Sequence, residues 1–387
     1  DKALGTAFDY LEYLGTSDMT PEELKSEFYR LACTFYVSPG NERTYVVLSG
    51  LNENMPAAVQ LFEKLLADAQ VNKEAYTNMT SDILKARSDA KLNQGQNFSR
   101  LMSFAMYGPK SPATNLLTEA ELTNMNPQEL VDRIHNQNSY KHRILYYGPS
   151  SSKDLLATIN QYHQVPAALK DIPAGNEYSY LETPVTKVLV APYDAKQIYM
   201  AQISNLDKKY DPAIEPIRAL YDEYFGGGMN SIVFQEMRET RGLAYSAWAS
   251  IMPPSYLKYP YVLRTQIATQ NDKMIDAVTT FNDIINNMPE SEAAFKLAKD
   301  GLTNRLRTER IIKGDIIWSY INAQDLGQNV DPRIKLYNDI QNMSLKDIVD
   351  FQKQWVKGRT YVYCILGDKK DLELDKLKAV GLSLIHI

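Results

Sequence analysis

Apolar and polar positions along this chain alternate with two periods. Ala7, Leu11 and Leu14 share one face of a helix predicted from Ala3 to Leu14, which Gly15 ends. Thr20-Pro21-Glu22-Glu23 reads as a second helix start. Thr20 is suited to cap, Pro21 to occupy the first turn, and Glu23 to close a capping box; that helix runs toward Ala32. Thr44 to Ser49 is β-branched and aromatic, which predicts a strand. Val59, Phe62, Leu65 and Leu66 have helical spacing within Pro56 to Ala67, and another helix is predicted from Lys73 to Lys91. Arg143 to Tyr147 reads as a strand stopped by Gly148-Pro149.

Breakers then cluster at Val165-Pro166, at Ile172-Pro173-Ala174-Gly175-Asn176 and at Thr183-Pro184, and strands resume at Lys187. This places a first domain at residues 1–170, a linker at 171–185 and a second domain at 186–387. The second part repeats the plan of the first. Leu11-Glu12-Tyr13-Leu14-Gly15-Thr16 matches Tyr221-Asp222-Glu223-Tyr224-Phe225-Gly226-Gly227, and Glu27 to Arg30 matches Gln235 to Arg238. Asp82-Ile83-Leu84 matches Asp300-Gly301-Leu302, and Ile144 to Gly148 matches Tyr363 to Gly367. Offsets of roughly 210 to 220 residues suit two like-folded domains, because solenoid units are far shorter. The predicted class is α+β: each domain a mostly antiparallel sheet with helices packed on one face.

The length, 387 residues, independently favours two cores. A net charge of -5 gives no basic face for nucleic acid, and no apolar run approaches a membrane span. The chain starts at Asp1 without a signal-like stretch, so a fragment, a processed product or an expressed segment is expected. Cys33 and Cys364 are read as small buried apolar residues; they leave the compartment open between cytoplasm and periplasm.

Metal chemistry finds little support in the residues. None of the four histidines, His135, His142, His163 and His386, pairs with another at helical i,i+4 spacing beside a Glu. No Gly-x-Ser-x-Gly elbow is present, and Cys33 has no basic cluster around it. Gly226-Gly227-Gly228-Met229-Asn230-Ser231 invites a phosphate reading, but the Walker Lys and the spaced glycine pattern are missing. The plainer reading is a turn that lets a helix start close to a sheet, capped by Asn230 or Ser231. Arg238 lies late in the following helix, Gly242 ends that helix, and Ala244 to Ser250 alternates as a strand. A guanidinium and a phenol can therefore converge at one corner as donors to an oxyanion. The competing reading pairs Arg238 with Glu236 or Glu239 at the surface and packs Tyr245 in the core.

Phe-Gly-Gly-Gly-Met-Asn-Ser, then Phe-Gln-Glu-Met-Arg, then Arg-Gly-Leu-Ala-Tyr-Ser, read from Phe225 to Ser246, closely resembles the signature of the pitrilysin/insulinase family of zinc peptidases, in the half that lacks the metal. The resemblance implies a clamshell of two halves, each built from two homologous domains. One half carries an inverted zinc motif, His-x-x-Glu-His, and a later Glu. Aligned on Gly15-Thr16, those motif positions here are Thr6-Ala7-Phe8-Asp9-Tyr10, and the third ligand falls near Asp82. Neither His is present, so the resemblance implies no metal ligands and no cofactor in this chain, with Zn expected in a partner half. It implies Arg238 and Tyr245 as the residues completing the partner's catalytic site. Gly227, Gly228 and Asn230 are expected to contact substrate, an unfolded peptide. The strands with which such domains usually open are missing ahead of Lys2. The expected function is the non-zinc half of a metallopeptidase, inactive alone and partnered by a zinc-bearing half in the same or a separate polypeptide. The alternative is a non-catalytic scaffold or binding subunit, and a weaker one an independent hydrolase. No membrane and no nucleic acid are expected as partners.

Overall fold

A computed structural model describes residues 1–40, 42–368, 370–372, 375–376 and the backbone of 383–386. The chain divides into two compact units, residues 1–90 with 112–177, and residues 91–111 with 178–387.

The first unit begins with α1 (Leu4–Leu11) and α2 (Pro21–Arg30), followed by β1 (Cys33–Pro39), β2 (Thr44–Gly50), α3 (Met55–Asp68) and α4 (Lys73–Ala90). The α2 start is the capping box expected from its sequence. Thr20 Oγ1 accepts from Glu23 N–H at 3.2 Å, and the Glu23 carboxylate accepts from Thr20 N–H at 2.8 Å. After α5 (Gln94–Tyr107), which belongs to the other unit, come α6 (Glu119–Asn124), α7 (Gln128–His135) and α8 (Ser152–Tyr162). Its core gathers Tyr10, Leu14, Phe28, Phe62, Leu65, Leu122, Leu130 and Ile134. The buried Tyr10 hydroxyl is satisfied by the backbone of Asn72, donating to its carbonyl at 2.6 Å and accepting from its N–H at 2.9 Å.

Two strand expectations need revision here. Residues 33–39 form a strand that pairs antiparallel with β2, Phe35 opposite Leu48, where the sequence reading gave only the second strand. Conversely, Arg143 to Tyr147 is not a strand; Ile144, Leu145 and Tyr147 are exposed in extended coil. Its counterpart in the repeat is a central strand held on both edges. In the first unit the only described sheet is the β1–β2 hairpin, and residues 143–147 pair with neither of its outer edges.

The second unit runs β3 (Lys187–Pro192), β4 (Gln197–Lys209), α9 (Glu215–Phe225), α10 (Ile232–Phe234, widening into a π-helical turn at Gln235–Thr240), β5 (Ser246–Met252), β6 (Pro260–Gln270), α11 (Met274–Asn286), α12 (Glu292–Thr308), α13 (Asp315–Asp325), α14 (Pro332–Ile340), α15 (Leu345–Trp355), β7 (Val362–Gly367) and β8 (Ser383–His386). The strand order is β5-β6-β4-β7-β3-β8. The first four pair antiparallel, and β3 is parallel to both β7 and β8. The fold is thus α+β with a mostly antiparallel sheet. Every residue of β7 is buried. Tyr363 and Ile365 face the large helical core with Tyr221, Phe225, Phe281, Phe351 and Trp355, while Val362, Cys364 and Leu366 face Phe98, Leu101, Met102 and Ala105 of α5. A strand covered on both sides reads as a continuous apolar run. The α5 segment, which the sequence reading placed inside residues 1–170, is therefore packed on the second unit's sheet, opposite the main helical layer. Both cysteines are free and buried, and burial pushes the Cys364 thiol up to about 12.

Candidate functional site

The helix-to-strand corner at residues 226–246 is built on a close approach. A Cβ on Gly226 would lie 2.2 Å from the Ala249 carbonyl oxygen, so only glycine lets the end of α9 sit against β5. Asp222, one turn earlier, pins the same strand. Its carboxylate accepts from Ile251 N–H at 2.9 Å and Ser250 Oγ at 2.9 Å, and pairs with Arg218 at 2.7 Å. Desolvation pushes the Asp222 carboxyl up to about 6 against the pull of Arg218. Ser231, rather than Asn230, caps the next helix, its Oγ accepting from Phe234 N–H at 3.4 Å. Gly227, Gly228, Met229 and Asn230 form an exposed turn, and the added space at Gly228 is open.

Past Phe234 the helix widens into a π turn, a feature that rotates the side chains beyond it relative to an α-helix. Met237 points into the core and Arg238 outward. Gly242 then turns the chain with φ +56°, and Leu243 N–H returns to the Met237 carbonyl at 2.8 Å. Lys273 Nζ donates to the Gly242 carbonyl at 2.9 Å, and Thr269 Oγ1 to that of Leu243 at 2.5 Å. Tyr245 enters the sheet through its N–H, which donates to Ala268 O at 2.9 Å.

This closure brings Arg238 and Tyr245 together. The guanidinium carbon lies 5.4 Å from the centre of the Tyr245 ring and 5.1 Å from that of Phe234. Tyr245 does not pack in the core: it is 72 % exposed, and its hydroxyl makes no hydrogen bond among the described residues. Arg238 also contacts Glu239, Nε to Oε1 at 3.5 Å, a loose surface pair worth little by itself. Glu236 is engaged by Arg241 instead. The corner therefore offers two solvent-facing donor groups side by side, with the aromatic ring steadying the cation.

The positions aligned with a zinc motif behave differently. In α1, Ala7, Phe8 and Tyr10 are buried in the core and Asp9 is at the surface, as is Asp82 on α4. Among the described residues no group of three or more His, Cys, Asp or Glu side chains is arranged to hold a metal ion. His135 contacts the Ala69 carbonyl at 3.1 Å, and the side chain of His386 lies outside the described residues. His142 and His163, 21 positions apart on different elements, do meet. No motif spacing announces that contact in the sequence.

The profile of the Peptidase M16 inactive domain matches residues 144–302, a span that includes the whole corner. Over residues 144–302 this match supports the resemblance to the pitrilysin-like M16 peptidase family, in the half without the zinc motif. It is 27 % identical over 216 residues to the Non-peptidase homolog YmxG of Helicobacter pylori, covering 52 % of this chain and 48 % of that protein. It is 20 % identical over 260 residues to an uncharacterized zinc protease of Rickettsia felis, covering 64 % of this chain and 59 % of that one. The chain thus spans about half the length of the curated relatives it matches. Among solved structures, a peptidase M16 inactive domain from Pseudomonas fluorescens shares the fold with a TM-score of 0.70 at 15 % identity, over 94 % of this chain and 87 % of that one. The periplasmic protease PqqL of Escherichia coli does so with a TM-score of 0.69 at 14 % identity, over 95 % of this chain but only 41 % of that larger one. No described helix is long and apolar enough to cross a membrane.

Proposed function

We propose that this chain is the non-zinc half of a pitrilysin-like metallopeptidase and completes the peptide-cleavage site of a zinc-bearing half. The observation that carries this reading is the exposed Arg238–Tyr245 pair, held at one rigid corner with its hydroxyl and guanidinium directed to solvent. In the assembled site the partner supplies the Zn, its ligands and the general base. Water attack on a peptide carbonyl builds negative charge on the carbonyl oxygen. The Tyr245 hydroxyl and the Arg238 guanidinium donate to that oxygen or to the adjoining peptide, stabilising the transition state more than the ground state. The solvent-exposed turn at Gly227, Gly228 and Asn230 is where an extended peptide would be contacted. Steadying by Phe234 and by the Lys273 and Thr269 contacts reduces the reorganisation needed when charge develops.

The test is reconstitution. The purified chain should hydrolyse no peptide, and mixing it with a zinc-bearing pitrilysin-like half should give metal-dependent cleavage that neither half shows alone. Failure of a well-folded mixture to cleave, or cleavage by this chain unaccompanied, contradicts the proposal. A second reading, a non-catalytic scaffold subunit, draws support from the resemblance to a protein described as a non-peptidase homolog. Isolation of the native complex separates the two: the peptidase reading requires a zinc-motif partner, and the scaffold reading does not.

A further inference from the structure

The first unit holds a pair of histidines that neither the repeat nor the Arg238–Tyr245 corner uses. His142 Nε2 and His163 Nε2 face each other at 2.8 Å, with ring planes at 85°. The opposite nitrogen of each ring is already committed. His142 Nδ1 lies 2.7 Å from the Tyr140 carbonyl oxygen, which can only accept, so Nδ1 carries a hydrogen. His163 Nδ1 lies 2.7 Å from Glu63 Oε1 and likewise donates. The two Nε2 atoms then meet with no hydrogen of their own, so either a shared proton or a metal ion must lie at their junction.

The frame around the pair is fixed. Glu63 on α3 is held by Asn138, whose Nδ2 donates to Oε2 at 2.8 Å. His163 closes the end of α8, its N–H donating to Ile159 O at 2.8 Å. The chain before His142 is tied to Lys170 by two backbone bonds, Lys141 N–H to Lys170 O at 2.9 Å and Lys170 N–H to Ser139 O at 2.8 Å. The side chains of His163 and Glu63 are only 11 % and 16 % exposed, whereas His142 faces solvent. Carboxylate behind one imidazole and carbonyl behind the other is the outer support that metal-ligating histidines use to fix tautomer and ring direction.

We propose that His142 and His163 bind one late first-row divalent cation, of the Cu²⁺, Ni²⁺ or Zn²⁺ type, through their Nε2 atoms, with Glu63 as the positioning residue and water filling the remaining positions. Imidazole nitrogens suit these ions. With metal–nitrogen bonds of about 2.0–2.1 Å, adjacent ligands stand about 2.9 Å apart at a right angle and about 3.3 Å apart at the tetrahedral angle. The observed separation needs to open by no more than about half an ångström to accept either geometry. Two protein ligands do not make a closed site, so the cation stays exchangeable through the exposed His142 side. Both ligands lie within the first unit, so the site is independent of the zinc proposed for the partner half.

The experiment titrates untagged full chain with CuCl₂ and ZnCl₂ by calorimetry and records the copper EPR spectrum at one equivalent. The expected result is one saturable ion per chain, an EPR spectrum showing two equatorial imidazole nitrogens, and loss of that step in both His142→Gln and His163→Gln. Glu63→Gln should keep the step but weaken it by about 10–100-fold, as loss of an outer-shell partner does. His135→Gln should change nothing. No saturable step in the wild-type chain, fewer than two imidazole nitrogens in its spectrum, or a step undiminished by His163→Gln would each overturn the proposal. The wild-type spectrum keeps the test decisive even where a variant folds poorly.

Discussion

Residues 144–148 and 363–367 are matched segments of the weak repeat read in the sequence, and the two units use them oppositely. In the second unit the segment is β7, paired with β4 on one edge and β3 on the other and buried on both faces. In the first unit it is exposed coil, with Leu145 37 % accessible and the Tyr146 hydroxyl donating to Asn52 Oδ1 at 2.8 Å. An apolar, aromatic run becomes a strand only where other strands satisfy its backbone. The helix-to-sheet corners differ in the same spirit. In α2, Arg30 is clamped onto Glu27 on its own helix, at 3.0 Å from Nε and 2.7 Å from Nη2. In the second unit a π turn and Gly242 bring Arg238 over Tyr245 instead. Similar ingredients give a self-satisfied surface in one unit and a pair of outward donors in the other.

Four substitutions probe that contrast. All three tryptophans, Trp248, Trp318 and Trp355, lie in the second unit, so their fluorescence during denaturant unfolding reports that unit. Removing packing from the buried strand with Ile365→Ala should lower its stability by about 2–5 kcal/mol. Asp222→Ala should cost about 2–3 kcal/mol, because Arg218 loses one of its two carboxylate partners, keeping Glu215, and Ile251 N–H loses its acceptor. Gly226→Ala, whose Cβ would press on the Ala249 backbone, should cost about 1–3 kcal/mol. Leu145→Ala in the exposed counterpart should change circular-dichroism-monitored stability by less than about 0.5 kcal/mol. Comparable losses for Ile365→Ala and Leu145→Ala would dissolve the distinction between the units.

Asp222 also sets a pH dependence. Its folded value of about 6 lies above the ordinary 3.8, so the folded state holds this proton more tightly than the unfolded chain. The carboxyl therefore favours folding below the ordinary value, and that advantage drains away as pH rises through about 6. The change amounts to at most about 3 kcal/mol. Asp222→Asn lacks it, so its stability relative to wild type should rise between about pH 4 and 6, measured as a difference in denaturation midpoints.

Much of this was legible in the chain. Thr20-Pro21-Glu22-Glu23 specified the start of α2, and Gly242 between an amphipathic helix and an alternating segment announced the corner where Arg238 meets Tyr245. What escaped depends on partners distant in sequence. The apolar face of α5 has the same spacing whichever sheet it covers, so nothing local assigns residues 91–111 to the second unit. β1 alternates in burial, but Tyr36 on its exposed face makes Phe35-Tyr36-Val37 an unbroken apolar run that hides the alternation in the sequence. The His142–His163 contact joins a loop to a helix end and has no periodic signature.

The central claim is that the Tyr245 hydroxyl and its neighbouring guanidinium act on a reaction whose metal another half provides. The most direct measurement is kcat of the reconstituted peptidase with Tyr245→Phe against wild type, alongside the affinity of the two halves for each other. The account predicts a fall in kcat of about 10²–10³-fold with assembly unchanged, as for loss of one oxyanion donor. Equal turnover by wild type and Tyr245→Phe in a fully assembled pair would contradict it.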